Sequence, residues 1–349
     1  MEKRRCGDTG PELSVLGVGC WAYGGGREDY WGDQDQEDVD RVVRRAVEMG
    51  VNYFDTAEAY NDGRSEESLR RAFKGLDRDS VVIGSKISPS NAQPDVLPKH
   101  CEDSLRRLGV DTIDVYMMHY PINPPSVQLY AGKAIPLPSM EEAFEALVRL
   151  RDQGKIRHIG VSNFGPERLQ DAFDFGATVV VNQLPYSLLS RAIEYEILPE
   201  CRKRGVGIVG YVPLQQGLLT GKYASLDEVP AVRRRTRHFD SRKVKEARHT
   251  QTGAEQELQA ALDGIRKICD ESGLPMTRVA LGWAVAKSGI TCVLAGARNV
   301  RQLEANVEAV SEPLPADMVK ELDEITEPLK QRLGPSFDYY EDPENDRSK

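Results

Sequence analysis

The stretch Gly50–Tyr60, GVNYFDTAEAY, decides how the rest of the chain is read. Val51, Tyr53 and Phe54 form a short β-prone run bounded by Gly50 and the polar Asp55-Thr56. A carboxylate therefore stands where a strand ends, and a phenol follows in the loop at Tyr60. Both groups ionise, and neither belongs in a core without a partner. Alone, an Asp in that place caps the next turn and a Tyr packs. The reading turns on what the neighbouring segments supply.

Working outward, strand-like and helix-like runs alternate. Before the quoted stretch, Asp8-Thr9-Gly10 marks a small hairpin, Val15–Trp21 reads as a buried strand, and Asp35 caps a helix over Glu37–Met49. After it come a helix near Ser65–Phe73, a strand Val81–Lys86, a helix near Val96–Leu108 and a strand Ile113–His119. Ser139 and Glu142 form a capping box for a helix reaching Asp152. Strands follow at Ile156–Val161, Val179–Val181, Gly207–Val212 and Ile290–Leu294. Helices are expected near Pro166, over Ile193–Arg204, Ala254–Glu271 and Thr277–Lys287, from Asn299 to Val310, and over Ala316–Ile325.

Eight strands alternating with helices imply right-handed βαβ units, which close into a (β/α)8 TIM barrel of the α/β class, with long loops at its C-terminal face. A doubly wound sheet would want a GxGxxG turn after the first strand, and Gly24-Gly25-Gly26 does not fit that spacing. No linker divides the chain. Residues 1–330 read as one domain and 331–349 as a charged, mobile tail.

Composition limits the partners. The 349 residues are 40% hydrophobic and 29% charged, with a net charge of −9, which argues against nucleic acid. No apolar run approaches the roughly 18–20 residues that span a membrane, and MEKRRCGDTG is not followed by a signal-like segment. Six scattered cysteines without a CxxC pair suit reduced thiols and a cytoplasmic location rather than a disulfide framework or zinc site.

In such a barrel the working groups stand at the C-terminal ends of the strands. Asp55, Lys86 and His119 end three consecutive strands, and Tyr60 lies in the loop after the first of them. Neighbouring strands lie about 5 Å apart, so the four side chains converge. A lysine held charged by Asp55 would pull the phenol's pKa down from its ordinary value near ~10, and a histidine can donate to a carbonyl oxygen. This set can polarise a carbonyl and protonate the resulting alkoxide. No Ser or Cys nucleophile with an adjacent base and no metal-ligand spacing stands out, so the hydride must come from a cofactor. The other strand ends offer a groove for one: Ser162-Asn163 and Gln183 for an amide, Tyr211 for stacking, Gly217–Lys222 for pyrophosphate, and Gly296–Asn299 leading into a helix N-terminus.

Several segments together resemble the aldo-keto reductase family over about residues 10–325: GVNYFDTAEAY with Gly63–Glu67, Lys86, His119-Tyr120-Pro121, Gly154–Phe164, Val181–Ser187, Pro213–Tyr223 and Gly296–Val307. The resemblance implies NAD(P)H-dependent reduction of an aldehyde or ketone, with Tyr60 as acid, Lys86 and Asp55 tuning it, and His119 orienting the carbonyl. It implies that Ser162, Asn163 and Gln183 hold the nicotinamide amide and Tyr211 stacks on the ring. Pro213, Leu214, Gly217, Leu219, Gly221 and Lys222 would line the pyrophosphate, and Gly296, Arg298, Gln302 and Asn306 the adenosine end.

Three departures stand out, the first being Pro121 followed by Ile122 where the family commonly has Pro-Asp. Asn61 follows Tyr60 where the family often has Gly, and the loop Tyr120–Pro138 is long. That loop is expected to shape the substrate pocket with Trp21, Tyr23, Trp31 and Tyr120. The basic run Val232–Arg248 in an acidic chain has two readings: a segment folded over the cofactor phosphates, which would favour NADP(H) over NAD(H), or a solvated loop. Besides an enzyme acting on a small carbonyl, with sugar- or polyol-derived carbonyls among the candidates, the resemblance admits a cofactor-bound regulatory or redox-sensing subunit like potassium-channel β subunits. The intact set of four favours the enzyme.

Overall fold

The computed structural model describes residues 1–25 and 32–349. Eight parallel strands close a barrel: β3 (Leu16–Gly19), β4 (Tyr53–Asp55), β5 (Val82–Ile87), β6 (Ile113–Met118), β7 (Ile156–Ser162), β8 (Val179–Pro185), β9 (Gly207–Tyr211) and β10 (Ile290–Ala295), which pairs back to β3. An antiparallel hairpin, β1 (Lys3–Arg5) and β2 (Glu12–Ser14), precedes them.

The hairpin seals the N-terminal end of the barrel. Cys6 and Leu13 join the cluster formed by Tyr53, Val115, Met117, Val181, Val209 and Cys292. The Asp8 N–H donates to Gly205 O at 2.8 Å. Gly7, with φ +62°, turns there so closely that a Cβ would lie 2.3 Å from Gly205 O. Apolar side chains then fill both the barrel interior and the layer between strands and helices.

The outer helices follow the amphipathic pattern. In α1 (Gln36–Glu48) the Asp35 side chain caps Glu37 N, and Val39, Val42, Val43 and Ala46 form the buried stripe. Next are α2 (Arg64–Ala72) and α3 (Leu97–Leu108). In α5 (Met140–Asp152) Ser139 caps Glu142 N, as its sequence signals. Beyond it lie α6 (Pro166–Asp174), α7 (Ile197–Lys203), α8 (Glu255–Ser272), α9 (Met276–Ala286), α10 (Val300–Ala309) and α11 (Ala316–Leu333).

Four features depart from the sequence reading. The loop after β6 contains a helix, α4 (Pro124–Ala131), started by an Asn123 capping box with proline at the first helical positions. The helix expected over 193–204 breaks into a 3-10 turn, Ala192–Glu194, and α7. The last helix runs through Pro328 to Leu333, because Leu322, Thr326, Leu329 and Leu333 form one buried face.

The fourth is a correction. The C-terminal segment is folded onto the barrel mouth, and Phe337, Tyr339, Asp346, Arg347 and Ser348 are buried. Buried partners hold it. Arg237 N donates to Tyr339 O, and its guanidinium donates to Leu333 O and Ser336 O. Tyr339 OH accepts from Ala192 N, and Arg248 pairs with Glu341. No helix among the described residues is long and apolar enough to cross a membrane.

Candidate active site

Register brings the strand-end groups together. Gly19 pairs with Asp55, Asp55 with Gly84, and Lys86 with Met117, so β4, β5 and β6 end side by side. Lys86, fully buried, donates from Nζ to both Asp55 carboxylate oxygens at 2.8 Å and to Thr56 O at 2.8 Å. It also donates to Tyr60 OH at 3.2 Å, with Nζ 4.7 Å from the ring centroid. Gln183 Nε2 adds a 2.7 Å bond to Asp55 Oδ1. The His119 ring meets Tyr60 edge-on, centroids 5.6 Å apart, and Trp21 lies 6.1 Å from Tyr60 on another side.

The Asn61 departure has a local explanation. Asn61, Asp62 and Gly63 all have positive φ, which Asn tolerates better than most side chains. Its Nδ2 also donates to Trp21 O and Tyr23 O, tying the Tyr60 loop to the segment after β3.

Burial sets the protonation states. It pushes the Asp55 carboxyl up and the Lys86 ammonium down, while each partner opposes the other's shift. Tyr60 is held well above its ordinary value, by burial first and then by the Asp55 charge. The sequence-based expectation of a phenol made more acidic by Lys86 is therefore reversed here, because burial disfavours the phenolate and the carboxylate that anchors the ammonium adds to that effect. His119 is held far below its ordinary value by burial, with Lys86 and Arg347 adding to the effect. At neutral pH the site thus presents a protonated phenol and a neutral imidazole. Because Lys86 donates to the Tyr60 oxygen, the phenolic hydrogen remains free for a ligand.

The amide groups adjoin this set. Asn163, at φ +63°, donates from Nδ2 to His119 O and Ser162 Oγ and accepts from Tyr211 OH at 2.7 Å. Ser162 Oγ and Asn163 N both donate to Gln183 O. Ser162, Asn163, Gln183 and Tyr211 therefore meet at the ends of β7, β8 and β9, as expected. Past Tyr211 the chain turns sharply: Val212, Gln215, Gln216, Gly217 and Gly221 all have positive φ. Strain of this kind in non-glycine residues is a mark of functional loops. Pro213 and Leu219 are buried, Leu214 packs against the main core, and Lys222 folds across Gly217. At the end of β10, Arg298 N donates to Gln302 Oε1, Asn306 Nδ2 to Gly296 O, and Arg298 Nη2 to Asp33 O.

These residues suit a nicotinamide dinucleotide. Amide and hydroxyl groups with both donors and acceptors stand beside the Tyr60 set. A glycine-containing loop with a lysine comes next, and a helix N-terminus with an arginine lies beyond it. The basic run, by contrast, is largely engaged elsewhere. Arg237 and Arg248 hold the C-terminal segment, Arg242 pairs with Asp240, and Arg234 donates to Val229 O and Asp227 O. Arg233 donates to Gln216 O in the strained loop.

Among the expected substrate residues, Trp21 and Tyr120 lie at the site, Tyr120 stacked 6.1 Å from His119. Tyr23 is 1% exposed within the main core cluster, so its ring backs the site rather than lining it. Trp31 lies outside the described residues. Two residues escaped the sequence reading. Tyr130 on α4 packs 5.2 Å from His119, and Arg347 lies over Tyr120. The Asn123-Pro124 start signal could have revealed the first, whereas no local signal marks the second.

Comparison with known proteins agrees with this geometry. The Aldo/keto reductase family profile matches residues 15–327. The chain is 31% identical to the NADH-specific methylglyoxal reductase of Escherichia coli, over 89% of this chain and 94% of that protein. It is also 31% identical to the aldo-keto reductase YhdN of Bacillus subtilis, over 97% of each. The holo form of aldo-keto reductase AKR11C1 from Bacillus halodurans superposes with a TM-score of 0.71 at 25% identity, covering 93% of this chain and 96% of that one. With the closed barrel and the clustered Asp55, Tyr60, Lys86 and His119, these similarities establish that the chain belongs to the aldo/keto reductase family, oxidoreductases that reduce carbonyl compounds with a nicotinamide cofactor.

Proposed function

We propose that the chain reduces a small aldehyde or ketone to an alcohol, with Tyr60 as the proton donor. One observation carries this reading: Lys86 Nζ lies 3.2 Å from Tyr60 OH while paired to Asp55. The ammonium stabilises negative charge on the phenol oxygen as it develops, so proton transfer to an alkoxide leaves a supported phenolate. His119, neutral and beside Tyr60, orients the carbonyl oxygen by hydrogen bonding. Asn163, Ser162 and Gln183 hold the carboxamide end of the cofactor. When bound, the cofactor supplies the hydride.

The wall of Trp21, Tyr60, His119, Tyr120 and Tyr130 favours compact or flat carbonyls. The Escherichia coli relative is a methylglyoxal reductase by name, so 2-oxoaldehydes are the first substrates to try, with aldoses second. Replacing Tyr60 by Phe should lower kcat for 4-nitrobenzaldehyde and methylglyoxal by about 10²–10⁴-fold while leaving cofactor affinity unchanged. Wild-type turnover in that variant would remove Tyr60 from the role.

We further propose that NADP(H) is accepted, with Arg298 as the contact for its 2′-phosphate. Support now rests on Arg298 alone, whose side chain has Asp33 O as its hydrogen-bond partner among the described residues. The basic run no longer supports it, and the relative named NADH-specific points the other way. In Arg298→Ala, NADPH affinity should fall about tenfold more than NADH affinity, the scale of one charge-assisted contact. An equal loss for both cofactors would exclude the 2′-phosphate role.

A further inference from the structure

We propose that the ion pair Asp338–Arg347, on the last turn of the chain, is a positioning element of the carbonyl site and acts on His119 through the ring of Tyr120. The proposal rests on His119 orienting the substrate carbonyl, and it extends that reading to residues far outside the barrel strands.

The geometry is a continuous stack. Arg347 is 2% exposed. Its Nε and Nη2 donate to the two Asp338 oxygens at 2.7 and 2.6 Å, and its backbone N–H donates to Asp338 Oδ2 at 3.1 Å. This fork fixes the guanidinium with Cζ 4.6 Å from the Tyr120 ring centroid. Tyr120 in turn stacks on His119, with centroids 6.1 Å apart and planes at 27°. Tyr130 closes the cluster, 5.2 Å from His119 and 6.1 Å from Tyr120. His119 then meets Tyr60 edge-on at 5.6 Å. A planar, desolvated guanidinium held by a bidentate carboxylate is the cation best suited to immobilise an aromatic face.

The chain end is also tied to the loops that carry site residues. Asn123 Nδ2 donates to Arg347 O at 2.9 Å and Lys349 O at 2.7 Å, next to the capping box of α4, which carries Tyr130. Gly165 N, just beyond Asn163, donates to Ser348 O at 2.9 Å. The segment thus braces the loop after β6 and the loop after β7 against each other. A tail that only covered the surface would need no buried arginine against Tyr120.

The stack has an electrostatic consequence. The rings packed against His119 are Tyr60 from the β4 loop, Tyr120 beside it and Tyr130 from α4, and the charges that act on it are Lys86 from β5 and, beyond Tyr120, Arg347 from the tail. Only Lys86 and Arg347 carry positive charge, and both favour the neutral imidazole. Arg347 therefore does two things. It fixes the ring stack, and with Lys86 it adds to the burial that keeps His119 neutral.

Three variants of the full-length enzyme separate these effects from folding. They are Arg347→Met, the double Asp338→Asn with Arg347→Met, and Arg347→Lys. The double variant leaves no unpaired buried charge. Each is measured for kcat and KM with 4-nitrobenzaldehyde, and His119 is titrated by histidine-selective ¹³C NMR, its signal assigned by its loss in His119→Asn. We expect kcat/KM to fall about tenfold in Arg347→Met and in the double variant, the scale of a displaced site residue. His119 should titrate at higher pH in both. Arg347→Lys should keep the His119 titration near wild type but recover kcat/KM only in part. Wild-type kcat/KM and an unmoved His119 titration in the folded double variant would overturn the proposal. The NMR readout does not depend on turnover. A failed role for His119 would show as unchanged turnover in His119→Asn, whatever the Arg347 variants do.

Discussion

Two of the ion pairs at the mouth of this barrel are built differently. Lys86–Asp55 joins adjacent strands, both partners buried, with further bonds to Thr56 O and Gln183. Arg347–Asp338 joins residues nine apart on one irregular segment and is equally buried. The first is fixed by sheet register, since β4 and β5 cannot slide without breaking the barrel. The second is fixed only by docking, through Asn123, Gly165, Arg237 and Arg248. A pair held by register cannot relax when one partner is lost, whereas a pair held by docking can peel into water.

That contrast predicts a ranking of effects. The largest belongs to Lys86→Met. It should abolish measurable turnover and, by leaving Asp55 buried without its cation, cost about 3–5 kcal/mol in urea unfolding. A loss below about 1 kcal/mol would mean that Asp55 simply takes up a proton, as burial already inclines it to do.

Asp338→Ala should be milder. Arg347 can escape to solvent if the segment detaches, so the global loss should stay near about 1–2 kcal/mol, less than for a pair that cannot relax. Amide hydrogen exchange should accelerate over 336–349 and the 120–131 region while β4 and β5 stay protected. Uniform acceleration across the barrel would show that the two pairs are held alike.

The smallest effect concerns Glu58, which ties the Tyr60 loop to the segment after β5. Its Oε1 accepts from Ser88 N and Asn91 Nδ2 at 2.9 Å, and its Oε2 pairs with His100 Nδ1 at 2.7 Å. The Glu58 hydrogen bond holds His100 above its usual pKa, whereas for Glu58 the His100 and Ser88 hydrogen bonds outweigh burial and hold it below its own. The raised histidine contributes stability that is complete below its unfolded pKa near ~6.5 and fades as pH rises through its folded value. The lowered carboxyl contributes above ~4.3 and loses its share as pH falls through its folded value. Because His100 is partly exposed, the amplitude should stay under about 1 kcal/mol. In His100→Ala the fading of stability above pH ~6.5 should disappear from urea midpoints. If it persists, another group is responsible.

Much of the barrel was legible from the chain alone because its signals are local. Asp35 and Ser139 cap the helices they announce. Asp55, Lys86 and His119 lie within one residue of the ends of strands that alternation made recognisable. Convergence followed from the fold class, because consecutive parallel strands place consecutive strand ends side by side. The same logic brought Ser162, Asn163, Gln183 and Tyr211 together.

Where the signal was not local, the reading failed. Val232–Arg248 looks like a phosphate clamp by charge, yet the carbonyls and carboxylates that engage Arg237 and Arg248 lie more than ninety positions away. The tail looks solvated by composition, yet Asp338 pairs with Arg347 and Glu341 with Arg248 once it is docked. Tyr23 looks like a pocket aromatic until packing buries it. Tyr60 looks acidified by its lysine until burial and the Asp55 charge are weighed together.

By itself, then, the sequence determined the barrel, the order of its strands and the three groups around Tyr60, because periodicity, caps and strand ends are written in short windows. The tertiary structure alone decided what closes the mouth, which arginines the fold engages, and which protonation states the site holds at rest. Those depend on desolvation and on charges distant in the chain, and neither is encoded in any short stretch of residues.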